Sequence, residues 1–286
     1  MRVLLTGASG SVGRFILARL IGEGHGVTVL GRRPVGGFAA AFHPFDLSAP
    51  EPQLAEADAL VHCALLHEPG RFRGGEGDDP ETFRRVNVDG TQRLFESAKK
   101  AGCRRAVFLS SRAVYGDHRR GEMLQETDDP QPESLYGEVK MAGEQVLAEL
   151  SDRVFRGSVL RATGVYGLPP GLQEHKWSSL FEDFARGDKI TPRRATEVHG
   201  EDLAAAVSLL FTRDEPEPFE VFNVSDLLLD RRDLLAAYSE ISGVTGKLPE
   251  EAVNMPGIMT TEKLRALGWT PEGMDRLRAF LRELTA

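Results

Sequence analysis

The feature that most constrains the fold of this chain is a glycine-rich turn close to its N-terminus. A short apolar run at residues 2–5 leads into glycines at positions 7, 10 and 13, and a segment with helical periodicity follows from residue 12. In a strand–turn–helix unit these glycines allow the tight turn, the approach of backbone to a pyrophosphate, and close packing of helix on strand. The N–H groups that begin the helix then bind the anion. The turn predicts a dinucleotide site formed by Gly7, Ser9, Gly10, Ser11, Val12 and Gly13.

The first 165 residues alternate between short apolar runs and longer segments with apolar residues three and four apart, which is typical of βαβ units. Runs that are apolar throughout indicate a parallel sheet covered by helices on both faces. We therefore expect an α/β fold, a doubly wound parallel (Rossmann) sheet with a smaller C-terminal substrate-covering region. The predicted strands are 2–5, 27–30, 59–63, 105–109, 158–161 and 219–224, and the predicted helices are 12–22, 80–101, 136–150 and 201–211.

The regular alternation weakens after residue 165, where a Gly/Pro-rich loop at 167–171 interrupts it. We assign residues 1–166 to a dinucleotide-binding domain, to which residues 201–225 return. Residues 167–200 and 226–286 are assigned to a smaller substrate-binding region, in which two short helices flank residues 268–271.

Composition and charge exclude several classes of partner. A formal net charge of -8 and the lack of a dense basic stretch argue against nucleic acid as a partner. No apolar run is long enough to span a membrane, and the N-terminus carries no leader pattern, so we expect a cytoplasmic protein. Cys63 and Cys103 lie within apolar patterns without metal spacing, which predicts reduced thiols and no bound metal.

The end of the second predicted strand bears on the choice of dinucleotide. An acidic residue here usually binds the ribose 2′-hydroxyl of NAD, but this chain has Arg32 and Arg33. Guanidinium groups suit a 2′-phosphate, so NADP is the preferred cofactor and NAD the alternative. The alternative interpretation is that the arginines are a solvated strand end. Asp46 could reach the adenine edge or be an ordinary loop aspartate.

A candidate reaction centre follows from a tyrosine and a lysine four residues apart on a predicted helix. Tyr136 and Lys140 would share one helical face, where the ammonium favours the phenolate needed to accept a hydroxyl proton. Ser111 follows a predicted strand at the edge where open α/β sheets bind ligands, and it can stabilise charge on a substrate oxygen. These three residues are the predicted catalytic groups.

Taken together, these motifs resemble the extended short-chain dehydrogenase/reductase family, also called the NAD-dependent epimerase/dehydratase family. The resemblance spans the glycine turn, the Ser111 and Tyr136–Lys140 segments, and later matches as far as residue 269. It implies that Tyr136 is the base, that Lys140 binds the nicotinamide ribose, and that the protein is a homodimer. Asn87 would be the family's structural asparagine. The implied cofactor contacts beyond the turn are Arg32, Arg33, Asp46, Leu47, Cys63, Ala64, Tyr136, Lys140 and Ala162.

Departures from the family pattern bear on the reaction. Arg112 and Ala113 stand where family dehydratases have Asp-Glu, and Ala195 replaces an arginine that grips a phosphate in many nucleotide-sugar enzymes, with Arg194 one place off. The leading hypothesis is a dehydrogenase or reductase acting at a hydroxyl or keto carbon of a sugar or other small polyol. The alternatives are a nucleotide-sugar epimerase with tightly bound NAD and a non-catalytic nucleotide-sensing protein.

Several other residues have two interpretations each. His199 precedes a helix and is either a cap or a catalytic group. Arg161 either faces the substrate or forms a structural ion pair. Trp177 and Phe181 either line an apolar pocket or fill the core.

Overall fold

The computed structural model describes residues 1–50, 52–68, 75–214 and 216–285. The strands are β1 Arg2–Thr6, β2 Gly26–Gly31, β3 Ala41–Pro44, β4 Ala59–His62, β5 Arg105–Ser111, β6 Met123–Leu124, β7 Arg156–Ala162, β8 Gly164–Tyr166, β9 Arg194–His199, β10 Phe219–Val224, β11 Leu227–Asp230 and β12 Ile258–Met259. The helices are α1 Ser11–Gly22, α2 Pro80–Lys100, α3 Leu135–Leu150, α4 Ser178–Arg186, α5 Gly200–Thr212, α6 Arg231–Ser242, α7 Glu262–Ala266 and α8 Gly273–Glu283, with a 3-10 helix at Arg112–Tyr115.

A seven-stranded sheet forms the centre of the molecule, with strand order β10-β7-β5-β4-β1-β2-β3 and every neighbouring pair parallel. The order reverses beside β1, so the chain winds outwards in both directions from that strand. The predicted doubly wound parallel sheet is confirmed. Each predicted strand overlaps an observed strand, and the predicted and observed bounds differ by at most a few residues. As expected, β10 returns to the sheet beside β7. The edge strand β3 has no counterpart among the predicted strands.

Strand β1 shows why continuous apolar runs produce this fold. Val3 and Leu5 pack in a cluster with side chains of α1 and α5 on one face of the sheet. Leu4 packs on the opposite face with side chains of α2 and α3. Successive side chains of a strand point to opposite faces, so a strand buried on both faces is apolar at most positions.

The C-terminal part of the chain adds a smaller sheet over the carboxyl edge of the large one. β9 lies between β8, which is parallel to it, and β11, which is antiparallel. An aromatic-rich cluster packs α4, α6 and α8 against this sheet. β8 begins at residue 164 and belongs to the small sheet. The domain boundary assigned from the sequence at residue 166 stays a prediction.

Candidate functional site

One large cavity lies beyond the carboxyl ends of the parallel strands. Its volume is about 1680 Å³, and it runs from the glycine turn after β1, past the end of β5, to the small sheet. Ligand cavities for drug-sized molecules are typically about 300–1,000 Å³, so this cavity has room for a dinucleotide and a second molecule. The predicted residues that line it are Gly7, Ser9, Gly10, Ser11, Val12, Gly13, Arg32, Asp46, Leu47, Cys63, Ala64, Ser111, Tyr136, Lys140 and Ala162.

The glycine turn has the geometry of an anion cradle. Gly7 adopts φ +72°, and a Cβ atom on Gly13 would lie 2.2 Å from the carbonyl oxygen of Gly7. Both positions therefore require glycine. Gly10 is the N-cap of α1 and provides no side-chain cap, so the first N–H groups of the helix remain available to a ligand in the cavity. This cradle fits the pyrophosphate of a dinucleotide.

The two arginines after β2 occupy different positions relative to the cavity. Both arginines are exposed, but only Arg32 lines the cavity. Asp46 accepts hydrogen bonds from the amide and hydroxyl of Ser48, at 2.8 and 2.5 Å. These bonds, aided by the charge of Arg32, hold the pKa of Asp46 below its usual value. Asp46 is thus both a loop-forming aspartate and part of the cavity wall.

A buried histidine supports the loop that follows β4. His62 Nδ1 lies 2.7 Å from the Thr6 hydroxyl, and its Nε2 lies 2.9 Å from the Thr91 hydroxyl. The Thr6 oxygen also accepts the amides of Cys63 and Ala64, each at 3.2 Å. Burial lowers the pKa of His62 to about 3, so the ring is neutral. His62 and Thr6 therefore fix backbone that lines the cavity.

Asn87 of α2 anchors the same loop further along. Its side-chain amide donates to the carbonyl of Leu66 at 3.0 Å, and its side-chain oxygen accepts the Leu66 amide at 2.7 Å. Asn87 is buried and is absent from the cavity lining. Its contacts are those of a structural residue, as the family resemblance implies.

All three predicted catalytic side chains line the cavity. Lys140 Nζ lies 5.9 Å from the centre of the Tyr136 ring and donates to the carbonyl of Leu109 at 2.8 Å. Lys140 is only 4% exposed, and burial lowers the pKa of its ammonium to about 8. Ser111 ends β5, and its oxygen accepts the amide of Ala113 at 3.1 Å. This bond does not involve the hydroxyl proton of Ser111, which can be donated to another acceptor.

The position of Tyr136 and Lys140 is set by how α3 begins. The Ser134 hydroxyl accepts the amide of Gly137 at 3.1 Å, which caps the helix. Gly137 then packs under the 3-10 helix, because a Cβ atom there would lie 2.6 Å from the carbonyl oxygen of Ala113. The helix is thus held close to the end of β5, where Ser111 lies.

The structure decides between the alternatives for four other residues. Arg161 is 4% exposed and forms an ion pair with Glu144, 2.7 Å from Nη2 to Oε2. His199 is the N-cap of α5, and its Nδ1 accepts the amide of Glu201 at 3.2 Å. Trp177 and Phe181 belong to the aromatic cluster of the smaller sheet. The structural interpretation holds for all four.

The far end of the cavity carries charged pairs whose members, apart from Arg194, the sequence did not single out. Lys176 and Glu197 form an ion pair in its wall, and Glu197 is buried. Arg194 lies 3.3 Å from Asp230 and 2.5 Å from Glu251. Since these carboxylates engage Arg194, it is poorly placed to replace the phosphate-gripping arginine that is missing at position 195. Each pair joins residues more than twenty positions apart, so no local spacing in the sequence reveals it.

Metal-binding clusters and membrane-spanning helices are both absent from the described residues. No group of three or more His, Cys, Asp or Glu side chains in them has the geometry to hold a metal ion. None of the helices in that part of the chain combines the length and apolar character needed to cross a membrane.

A doubly wound parallel sheet with a glycine cradle after its first strand defines a dinucleotide-binding enzyme class. Residues 3–225 match the sequence model of the NAD dependent epimerase/dehydratase family. The chain belongs to this family, the extended short-chain dehydrogenases/reductases, whose members include NAD-dependent dehydrogenases and epimerases. The family assignment made from the motifs is confirmed.

Two curated relatives are sugar dehydrogenases by name. The dTDP-6-deoxy-L-talose 4-dehydrogenase (NAD(P)(+)) of Kitasatospora kifunensis is 30% identical, with 99% of this chain and 94% of that protein covered. The uronate dehydrogenase of Pseudomonas putida is 27% identical, over 53% of this chain and 56% of its own length.

Solved structures include NAD complexes with the same overall fold. MoeE5 in complex with UDP-glucuronic acid and NAD is 25% identical, with a TM-score of 0.82 over 100% of this chain and 99% of that chain. The UDP-glucose 4-epimerase of Thermus thermophilus in complex with NAD is 26% identical, with a TM-score of 0.77 over 100% of this chain and 97% of that chain.

Proposed function

We propose that this enzyme is an NAD(P)-dependent oxidoreductase that transfers hydride at a hydroxyl or keto carbon of a sugar or other small polyol. The observation that carries the proposal is the convergence of Ser111, Tyr136 and Lys140 on the cavity that also contains the glycine cradle. A sensing protein would need the cradle alone. A buried ammonium beside a phenol is costly to maintain and is useful for proton transfer.

The proposed mechanism assigns one task to each side chain. Tyr136 accepts the proton of the substrate hydroxyl in oxidation and returns it in reduction. Lys140 stabilises the phenolate form of Tyr136 by its positive charge. Ser111 donates a hydrogen bond to the reacting oxygen, using the hydroxyl proton that its contact with the Ala113 amide does not engage. When bound, the nicotinamide dinucleotide supplies the two-electron oxidant or reductant. The residues that would hold it are the glycine turn, Leu47, Cys63, Ala64 and Ala162.

The dehydrogenase or reductase is favoured over the epimerase by the far end of the cavity and by the relatives. Position 195 has no arginine, and Asp230 and Glu251 neutralise Arg194. The relative that matches nearly the whole chain is named a dehydrogenase. An epimerase regenerates its own oxidised cofactor and has no need to release it, whereas a dehydrogenase must exchange its cofactor every turnover.

Release of nucleotide from the purified protein separates the two functions. We expect denaturation of freshly purified protein to release far less than one equivalent of NAD or NADP, measured by mass and absorbance. Added NAD(P)⁺ should then be reduced with a sugar or polyol, followed by the absorbance of the reduced nicotinamide. Release of near-stoichiometric NAD, together with no net change in absorbance during turnover, would show that the protein acts as an epimerase and not as a dehydrogenase.

Arg32 provides a test of the preference for NADP, which is part of the proposal. Because Arg32 lines the cavity and Arg33 does not, Arg32→Ser should weaken NADPH binding about tenfold or more and leave NADH binding near the wild-type value. Arg33→Ser, which removes the same charge one residue away, is the matched control. Fluorescence titration with both reduced cofactors measures the change. Equal losses in both variants would indicate only a general effect of charge.

A further inference from the structure

A buried polar cluster lies directly beneath the candidate site, where α3 crosses the ends of β5 and β7. The carboxylate of Glu144 accepts a hydrogen bond from the Ser110 hydroxyl. It also accepts Arg161 Nη2 at 2.7 Å and Nε at 3.1 Å. All three residues are 3–5% exposed. One carboxylate therefore joins three elements of secondary structure.

Each member of this cluster adjoins a residue of the site. Ser110 and Arg161 are register partners across β5 and β7. The residue after Ser110 is Ser111, and Lys140 lies one helical turn before Glu144 on the same face of α3. A shift of the Glu144 carboxylate would therefore displace the proposed hydroxyl donor relative to the proposed ammonium.

The titratable groups around Lys140 come from two parts of the chain. On α3 its neighbours are Tyr136 and Glu144, and on β4 and the residue after it they are His62 and Cys63. Burial lowers the pKa of His62 to about 3 and raises the pKa of Cys63 to about 12, so both are uncharged near neutral pH. Two groups oppose the effect of burial on the pKa of Lys140, the Cys63 side chain first and the Glu144 carboxylate second. Because the Cys63 thiol stays protonated near neutral pH, the Glu144 carboxylate, one helical turn from Lys140, is the negative charge that remains.

We propose that Glu144 is a positioning residue of this site, which keeps α3 aligned with the end of β5 and stabilises the ammonium form of Lys140. The inference rests on the proposed function, since it assigns Glu144 a role in the Tyr136–Lys140 chemistry. A purely structural ion pair would need Glu144 and Arg161 equally. The proposed role needs the carboxylate more than the guanidinium.

The two halves of the ion pair provide matched variants. Glu144→Gln removes the carboxylate charge, and Arg161→Gln breaks the same ion pair but leaves that charge beside Lys140. We expect Glu144→Gln to lower the pKa of Lys140 by on the order of one unit and Arg161→Gln to leave it unchanged or raise it. A ¹³C titration of labelled lysine side chains measures this pKa without any substrate, with the Lys140 resonance assigned from Lys140→Met.

Kinetics provides the second measurement. The alkaline limb of the kcat/KM profile should move to lower pH in Glu144→Gln by the same amount, with kcat reduced on the order of tenfold to a hundredfold and the cofactor KM little changed. Ser110→Ala, a milder change, should lower kcat without lowering the pKa of Lys140. This variant provides the kinetic test if either ion-pair variant fails to fold. An unchanged Lys140 pKa in Glu144→Gln, equal shifts in both ion-pair variants, or full kcat in Ser110→Ala would overturn the inference. A wild-type protein without hydride transfer would instead overturn the proposed function.

Discussion

Replacing Tyr136 by phenylalanine is expected to lower kcat/KM by roughly 10²–10⁴-fold while dinucleotide binding persists. The substitution removes one oxygen atom from a side chain that lines the cavity beside Lys140. General acid–base groups contribute rate factors of this size, and without the phenol the substrate hydroxyl loses its proton acceptor. Initial rates and a fluorescence titration with reduced cofactor separate the loss of chemistry from any loss of binding.

Tyr238→Phe is the matched control for this variant. It removes the same atom from a tyrosine on α6 that stacks on Phe181, with ring centres 4.0 Å apart and outside the large cavity. Its turnover should stay close to the wild-type value. If Tyr136→Phe retained turnover within about tenfold of wild type on an identified substrate, the proposed role of Tyr136 would be wrong.

The fold was predictable where burial imposes a simple pattern on the sequence. β1 and β4 are buried on both faces and read as apolar runs. β3 has the sequence Ala-Phe-His-Pro, lies at the edge of the sheet and is mostly exposed, so no pattern distinguishes it from a loop. β8 and β11 are short and are defined by pairing with β9, a long-range contact that local periodicity does not contain.

The site was predictable to the extent that its residues are close in sequence. The glycine turn and the Tyr136–Lys140 spacing are local patterns, and the cavity brings both together. The role of Glu144 depends on the crossing of α3 over two strands, which no local spacing encodes. Arg33 shows the opposite case, because two adjacent arginines look alike in sequence although only Arg32 lines the cavity. The predicted contact of Arg33 with the cofactor stays a prediction.

His62 makes the folded state sensitive to acid because the fold requires its neutral form. The Thr6 oxygen accepts two backbone amides, so its single proton goes to His62 Nδ1, and His62 Nε2–H then donates to Thr91. A protonated ring would place an N–H against the Thr6 proton. Complete burial, with the positive charge of Lys140, lowers the pKa of His62 from 6.5 to about 3, and the hydrogen-bond pattern acts in the same direction.

The expected result is a loss of stability as the pH falls. Between pH 6.5 and about 3 the unfolded chain binds the His62 proton and the folded chain does not, so stability is full above 6.5 and declines below it. Protonation of His62 in the unfolded chain lowers the free energy of unfolding by about 4–5 kcal/mol over the whole pH range. About 2 kcal/mol of this loss occurs between pH 7 and pH 5. Urea unfolding at several pH values, compared with His62→Gln, measures it.

The free energy of unfolding should decline with pH at different slopes in wild type and His62→Gln. Comparing these two slopes isolates His62 from the other groups that titrate in this range. His175 and His199 have pKa values lowered by burial to about 4, and burial raises that of Asp202 to about 6, but these residues are present in both proteins. The decline between pH 7 and pH 5 should therefore be about 2 kcal/mol shallower in His62→Gln, whatever its stability at pH 7. Equal slopes in wild type and His62→Gln would show that the folded protein accepts the His62 proton, contrary to the hydrogen-bond pattern.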